Sequence, residues 1–161
     1  MNELLEKEME AVEDTQHGKY LTFKLGGEAY GIEIKYVTEI IGIQPIASVP
    51  QVPSFVKGII NLRGKIIPVI DVRSKFGKEE VSYTERTCIV VVELRDTSVG
   101  LIVDNVADVL TIEDNNIVPP PDKQAGFQNN YVKGIGKVGS EVKLLLDCKK
   151  LLWENDEVKD L

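Results

Sequence analysis

The sequence predicts an all-β protein: two small five-stranded β-barrels in tandem that share a hydrophobic core, followed by a C-terminal helix. Three observations predict it. The chain repeats itself, each copy is built from short runs of β-branched and aromatic residues, and turn residues punctuate those runs.

The repeat is read directly. YGIEIKYVTEII (30–41) lies over VGLIVDNVADVL (99–110), an offset of 69 that puts Gly31 on Gly100, Ile32 on Leu101 and Val37 on Val106. Glu39 falls on Asp108, and Ile40 and Ile41 on Val109 and Leu110. YLTFKL (20–25) over IVVVEL (89–94) and SVP (48–50) over IVP (117–119) keep the same offset. FVKGI (55–59) then lies over YVKGI (131–135) at an offset of 76, which carries Ile66 onto Val142, Val69 and Ile70 onto Leu145 and Leu146, and Asp71 onto Asp147. The second copy therefore holds seven extra residues, absorbed by the loop-like stretch PPPDKQAGFQNN. The copies span about 19–77 and 88–153. This predicts an N-terminal tail (1–18) and one folded unit (19–161) of two subdomains, about 19–87 and 88–153, with strand exchange at the boundary left open.

In chain order, MNELLEKEMEAVED is acidic and amphipathic, either a frayed helix or disordered, and lacks the basic and apolar regions of a signal peptide. Strands are expected near 19–25, 28–33, 36–43, 55–61 and 65–70, with Gly26-Gly27 as a tight hairpin turn. Five such strands in about 60 residues are enough for a small barrel, which leaves little exposed edge. Asp71 is placed to start a short helix and Gly77 to end it. The second copy repeats this plan. DCKKLLWENDEVKDL reads as a closing helix capped by Asp147, with Leu151, Leu152 and Trp153 packed on the barrels.

Composition narrows the function. The 161 residues are 43% hydrophobic and 28% charged, ordinary for a globular chain that folds without staples. A net charge of −7 argues against a nucleic-acid surface and against an anionic membrane. No apolar run approaches the roughly 18 residues of a membrane span, so no direct insertion is expected. Cys88 and Cys148 sit in apolar runs and read as buried free thiols rather than a disulfide, which suits the cytoplasm.

Chemistry is sparse. His17, the one histidine, stands in the tail as a surface residue. There is no Cys/His cluster for zinc and no phosphate-binding loop. GIGKVG (134–139) precedes a strand rather than a helix, which removes the dinucleotide reading. Glu79-Glu80 and Glu113-Asp114 lie in loop-like stretches as solvated surface. No catalytic residue, metal site or cofactor is expected, and a binding module remains.

The duplication is an internal control. Gly58 and Gly134, Asp71 and Asp147, and the apolar positions keep their character in both copies, which marks them as structural. Asn61-Leu62-Arg63-Gly64 does not recur; Lys137-Val138-Gly139-Ser140 stands in its place, with glycine where the arginine was. The fold builds this corner without an arginine. Arg63 is therefore either a partner contact, or a turn arginine that is solvated or paired with a carboxylate such as Glu39. The recurring acid at Glu39 and Asp108 fits a strand with one polar face.

YGIEIKYVTEI, FVKGIINLRGKIIPVIDVRSKFG and VGLIVDNVADVL together resemble the CheW family of chemotaxis coupling proteins, from about Tyr20 to Leu152. The pattern GxxNLRGxxxPxxDLRxxF is matched with Val72 in place of leucine. The resemblance implies SH3-like barrels and a non-enzymatic adaptor between transmembrane chemoreceptors and the histidine kinase CheA. It implies that one face of the first barrel docks on the regulatory domain of CheA, and that a groove between the barrels takes the cytoplasmic receptor tip. It further implies that Val37, Glu39, Gly58 and Arg63 serve the kinase/receptor interface, and that Leu101, Val103, Asp104 and Val109 belong to the receptor groove. The isolated protein is expected to be a cytoplasmic monomer that is recruited to membrane-associated receptor clusters. A paralogue serving another receptor–kinase pathway, a small-ligand binder and, last, an enzyme are the competing readings.

Overall fold

The computed structural model describes residues 16–121 and 129–153. The tail to residue 15, the second-copy loop over 122–128 and the expected helix beyond Trp153 lie outside the described residues. The strands are β1 (Lys19–Leu25), β2 (Glu28–Glu33), β3 (Val37–Gly42), β4 (Val56–Leu62), β5 (Lys65–Asp71), β6 (Cys88–Leu94), β7 (Thr97–Val103), β8 (Asn105–Thr111), β9 (Ile117–Val118), β10 (Val132–Val138) and β11 (Glu141–Leu146). One short helix follows the last strand of each copy: α1 (Val72–Lys75) after β5 and α2 (Cys148–Trp153) after β11. The all-β fold stands as expected. The elements that the sequence did not call for are β9 and two 3-10 turns, Ile34–Tyr36 and Asp114–Asn116.

Local chemistry explains the ends of these elements. Gly26 bends the β1–β2 turn with a φ of 63°. The Asp71 carboxylate accepts from the Arg73 and Ser74 amides and so caps α1. Asp147 does the same for α2 by accepting from the Lys150 amide at 3.1 Å.

The strands form a six-stranded sheet, ordered β8-β1-β2-β11-β10-β9, and a five-stranded sheet, ordered β3-β6-β7-β5-β4. Each sheet combines the first two strands of one copy with the remaining strands of the other: β1 and β2 with β8 to β11, and β6 and β7 with β3 to β5. The two junctions are equivalent. Leu145 of β11 pairs in parallel with Gly31 of β2, and Val69 of β5 with Gly100 of β7. A methyl group at Gly100 would stand 2.6 Å from Val69 and 2.7 Å from Ile89. One at Gly31 would stand 2.9 Å from Leu145. The repeated glycine therefore lets the two copies approach.

Between the sheets lies one shared core, with Phe23, Tyr30 and Leu146 from the six-stranded sheet and Ile70, Val90 and Leu101 from the five-stranded one. Each sheet adds a smaller cluster of its own. A row of rings crosses the junction: Phe23 stacks on Tyr30, Tyr30 meets Phe76, and Phe76 stacks on Tyr131, at centroid distances of 5.8, 5.4 and 5.5 Å. Burying each such ring contributes roughly 2–3 kcal/mol. Cys148 is buried and Cys88 partly so, both as free thiols, and burial pushes the Cys148 thiol up to about 12. No helix of the described residues is long and apolar enough to cross a membrane.

Candidate functional site: the Arg63 corner and its duplicate

The β4–β5 hairpin turns on Arg63 and Gly64, with φ of 52° and 87°. Two positive φ values in a two-residue loop favour glycine or asparagine, because a side chain there crowds the following carbonyl. Asn61 supports the turn by accepting from the Gly64 amide at 2.8 Å. At the duplicate corner the position of Arg63 is held by Gly139, with φ 61°. Arg63 therefore occupies a backbone setting that glycine fills without strain. Its guanidinium donates to Glu39 at 2.5 Å while 71% of the side chain stays exposed. An ion pair this open contributes at most about 1 kcal/mol. Stability alone is a poor reason for an arginine here.

Glu39 sits just past a bulge where β3 pairs with β6. Its Oε2 meets Arg63, while its Oε1 is buried without a hydrogen-bond partner. Val37 lies on the other side of the bulge, half-buried against the shared core. The acidic residue of the second copy, Asp108, is exposed, and its backbone is stitched to the Thr22 hydroxyl in the matching bulge of β8 on β1. The polar-face reading thus fits Asp108, while Glu39 has a specific partner.

A cleft of about 340 Å³ lies under this corner, lined by Thr38, Glu39, Arg63, Lys65, Glu93 and Ser98, with Lys65 donating to Ser98 at 2.8 Å. A cleft of about 470 Å³ occupies the related place on the other sheet, lined by Lys24, Glu28, Ser140, Glu141, Val142 and Lys143. Lys24 takes the place of Glu93, and Glu141 that of Lys65. The barrels thus present reversed charges at duplicated positions.

The other expected site residues divide. Gly58, at φ 144°, faces the Ala47 carbonyl so closely that a Cβ would lie 2.0 Å from its oxygen; its role is to let that segment pass. Leu101 and Val103 are fully buried in the shared core, so their part in any groove is to pack behind it. Val109 is exposed on β8, an edge strand. Asp104, partly buried, accepts from Arg73 through both carboxylate oxygens and from the Gly26 amide at 2.7 Å. The Arg73 guanidinium beside it holds its carboxyl below the usual range.

Sequence reasoning named Val109 and missed three further exposed apolar residues, Ile40, Ile66 and Val142. Ile40, Val109, Ile66 and Val142 stand 44% to 57% exposed. They form two duplicated pairs, Ile40 with Val109 and Ile66 with Val142. Apolar character kept in both copies was read as structural. At these four positions it marks side chains turned to water instead. Their place on the strands was the available signal: Ile40 alternates with Glu39 and Ile41 across the pleat.

A duplicated pair of small barrels with one specialised, exposed arginine corner has the build of a protein-interaction module. The family model for the CheW-like domain matches residues 19–155. A chemotaxis protein CheW of Klebsiella aerogenes is 40% identical over 139 residues, covering 86% of this chain and 84% of that protein. The chemotaxis protein CheW of Bacillus subtilis is 36% identical over 134 residues, covering 83% of this chain and 86% of that one. Among solved structures, the scaffolding protein TtCheW of Thermoanaerobacter tengcongensis superposes with a TM-score of 0.78 at 35% identity, covering 88% of this chain and 96% of that chain. The chain belongs to the CheW-like domain family.

Proposed function

We propose that this chain is a non-enzymatic adaptor that couples transmembrane chemoreceptors to the histidine kinase CheA, working in the cytoplasm and recruited to receptor clusters at the membrane. Family membership supports the chemotaxis coupling role, and a related solved protein is named a scaffolding protein. The partners follow from the resemblance of the NLRG corner and of β8.

The observation that carries the reading is Arg63 in a left-handed turn whose duplicate uses glycine. An exposed arginine in a strained setting is well suited to recognition, where it orients a partner at the rim of an apolar contact. Ile40 and Ile66, both exposed and both in the five-stranded sheet, supply apolar surface for the kinase's regulatory domain. Val109 and the edge of β8 are assigned to the receptor side, where a helical hairpin tip lays an apolar stripe.

Calorimetric titration of the full chain into the isolated regulatory domain of CheA tests the reading. Micromolar or tighter binding is expected, weakened about tenfold in Arg63→Gly. Absence of binding by the unaltered chain would overturn it.

A further inference from the structure

Two chain segments cross between the sheets. The first copy crosses through the 3-10 turn Ile34–Tyr36; the second crosses at a single residue, Asp104, between β7 and β8. That residue is held from three directions. Its amide donates to the Lys24 carbonyl at 3.1 Å, its carboxylate accepts from the Gly26 amide, and Arg73 of α1 grips both carboxylate oxygens at 2.8 and 2.5 Å. Lys24 and Gly26 belong to the β1–β2 hairpin of the six-stranded sheet, whereas Arg73 follows β5 of the five-stranded one. Arg73 also donates to the Glu79 carbonyl of the segment leading to β6.

The duplicate cannot form this clamp. The positions matching Asp104, Arg73 and Gly26 are Lys35, Lys149 and Arg95, three cations. Lys35 turns to Glu33, and Arg95 lies over the Trp153 ring. The barrel fold does not require the clamp, by the same internal control that singles out Arg63. It pins one side of the sheet junction only.

We propose that Asp104 is a positioning residue: its ion pair with Arg73 locks the crossover between the sheets and so sets how β8 presents Val109 to the receptor. This rests on the proposed receptor-side role of β8. Asp104 therefore acts on receptor binding from behind the contact surface. A forked guanidinium–carboxylate pair is suited to this, since it fixes direction as well as distance. β8 begins at the next residue, so a loose crossover moves the whole strand.

The test uses the full chain with Asp104→Asn, Arg73→Met, both together, and the exchange Arg73→Asp with Asp104→Arg. Asparagine keeps one acceptor oxygen for the Gly26 amide and replaces the other with an amide nitrogen that cannot accept from Arg73. Binding is measured to a purified helical-hairpin receptor tip and to the isolated CheA regulatory domain. Each single change should weaken receptor binding about tenfold, the double no further, and the exchange should recover most of it, while kinase binding stays within about twofold. Spin labels at Glu93 and Lys137, one per sheet and with the native cysteines replaced, should give one narrow distance that broadens in each single variant. Loss of receptor binding in Asp104→Asn with normal binding in Arg73→Met would make Asp104 a contact and overturn the proposal. So would label distances unchanged in both variants. If the unaltered chain binds neither partner, the proposed function fails, while the label distances still decide the clamp.

Discussion

The two hairpin corners, Arg63-Gly64 and Gly139-Ser140, share a left-handed first residue and differ in which side chain stands there. Gly139 takes the left-handed φ at no steric cost. Arg63 takes a similar φ, leans on Glu39 across an open cleft and leaves most of its side chain in water. The neighbouring charges reverse as well, with Glu93 and Lys65 in one cleft against Lys24 and Glu141 in the other. Duplication separates what the barrel needs from what one barrel adds. Glycines at the close approaches and the apolar seam belong to the first group, and the arginine corner to the second.

The comparison breaks most violently at the repeated glycines. Gly58→Ala drives a methyl into the Ala47 carbonyl at a positive φ, and should cost on the order of 3 kcal/mol or more. Gly134→Ala meets the Ile117 side chain at 2.9 Å, has no positive φ, and should cost about 1–2 kcal/mol. Urea melts of the pair would rank them, and equal losses would mean that the two close approaches are strained alike. At the sheet junctions, Gly100→Ala faces two close side chains and Gly31→Ala one, so the first should lose about 2 kcal/mol and the second nearer 1.

Exchanging the corners gives a smaller and more informative effect. Arg63→Gly removes a strained turn residue and an exposed ion pair, two terms of about 1 kcal/mol and opposite sign, so the melting temperature should hold or rise. Gly139→Arg should cost about 1 kcal/mol. A melting temperature that collapses in Arg63→Gly would return the arginine to the fold.

Acid titration probes the clamp, which only one copy has. Arg73 holds the Asp104 carboxyl below its ordinary value of 3.8, so the unfolded chain binds that proton more readily than the folded one. The pair's contribution is complete above about pH 4 and fades as the pH falls below that. Denaturation midpoints between about pH 2 and pH 4 should slope less in Asp104→Asn than in the unaltered chain. The smallest effect on stability belongs to Ile66→Ser and Val142→Ser, within about 0.5 kcal/mol, because both side chains already face water.

Strand positions were legible from the sequence because Gly26-Gly27, Asn61 to Gly64 and Gly139-Ser140 mark the turns and β-branched runs fill the intervals. The Asp71 cap was legible for the same local reason. The pairing of strands was less so. Alternation reports which face a residue occupies and is silent about which strand lies beside it, so the membership of each sheet came only with the structure. Arg73 and Asp104 meet across the fold with no local spacing to announce them. Leu101 and Val103 were placed at a groove by resemblance, although the unbroken run from Val99 to Val103 already carries the pattern of a strand covered on both faces. The apolar pairs at Ile40 and Ile66 were hidden by the internal control itself, which cannot tell a shared core from a shared surface.

The exchange of strands between copies has the geometry of a domain-swapped dimer whose two chains are joined end to end. On the ribosome, the β1–β2 hairpin is made early, yet its parallel neighbour β11 is among the last segments synthesised. A nascent chain released after the first copy could close neither sheet. Each sheet is thus completed only when strands of both copies are present.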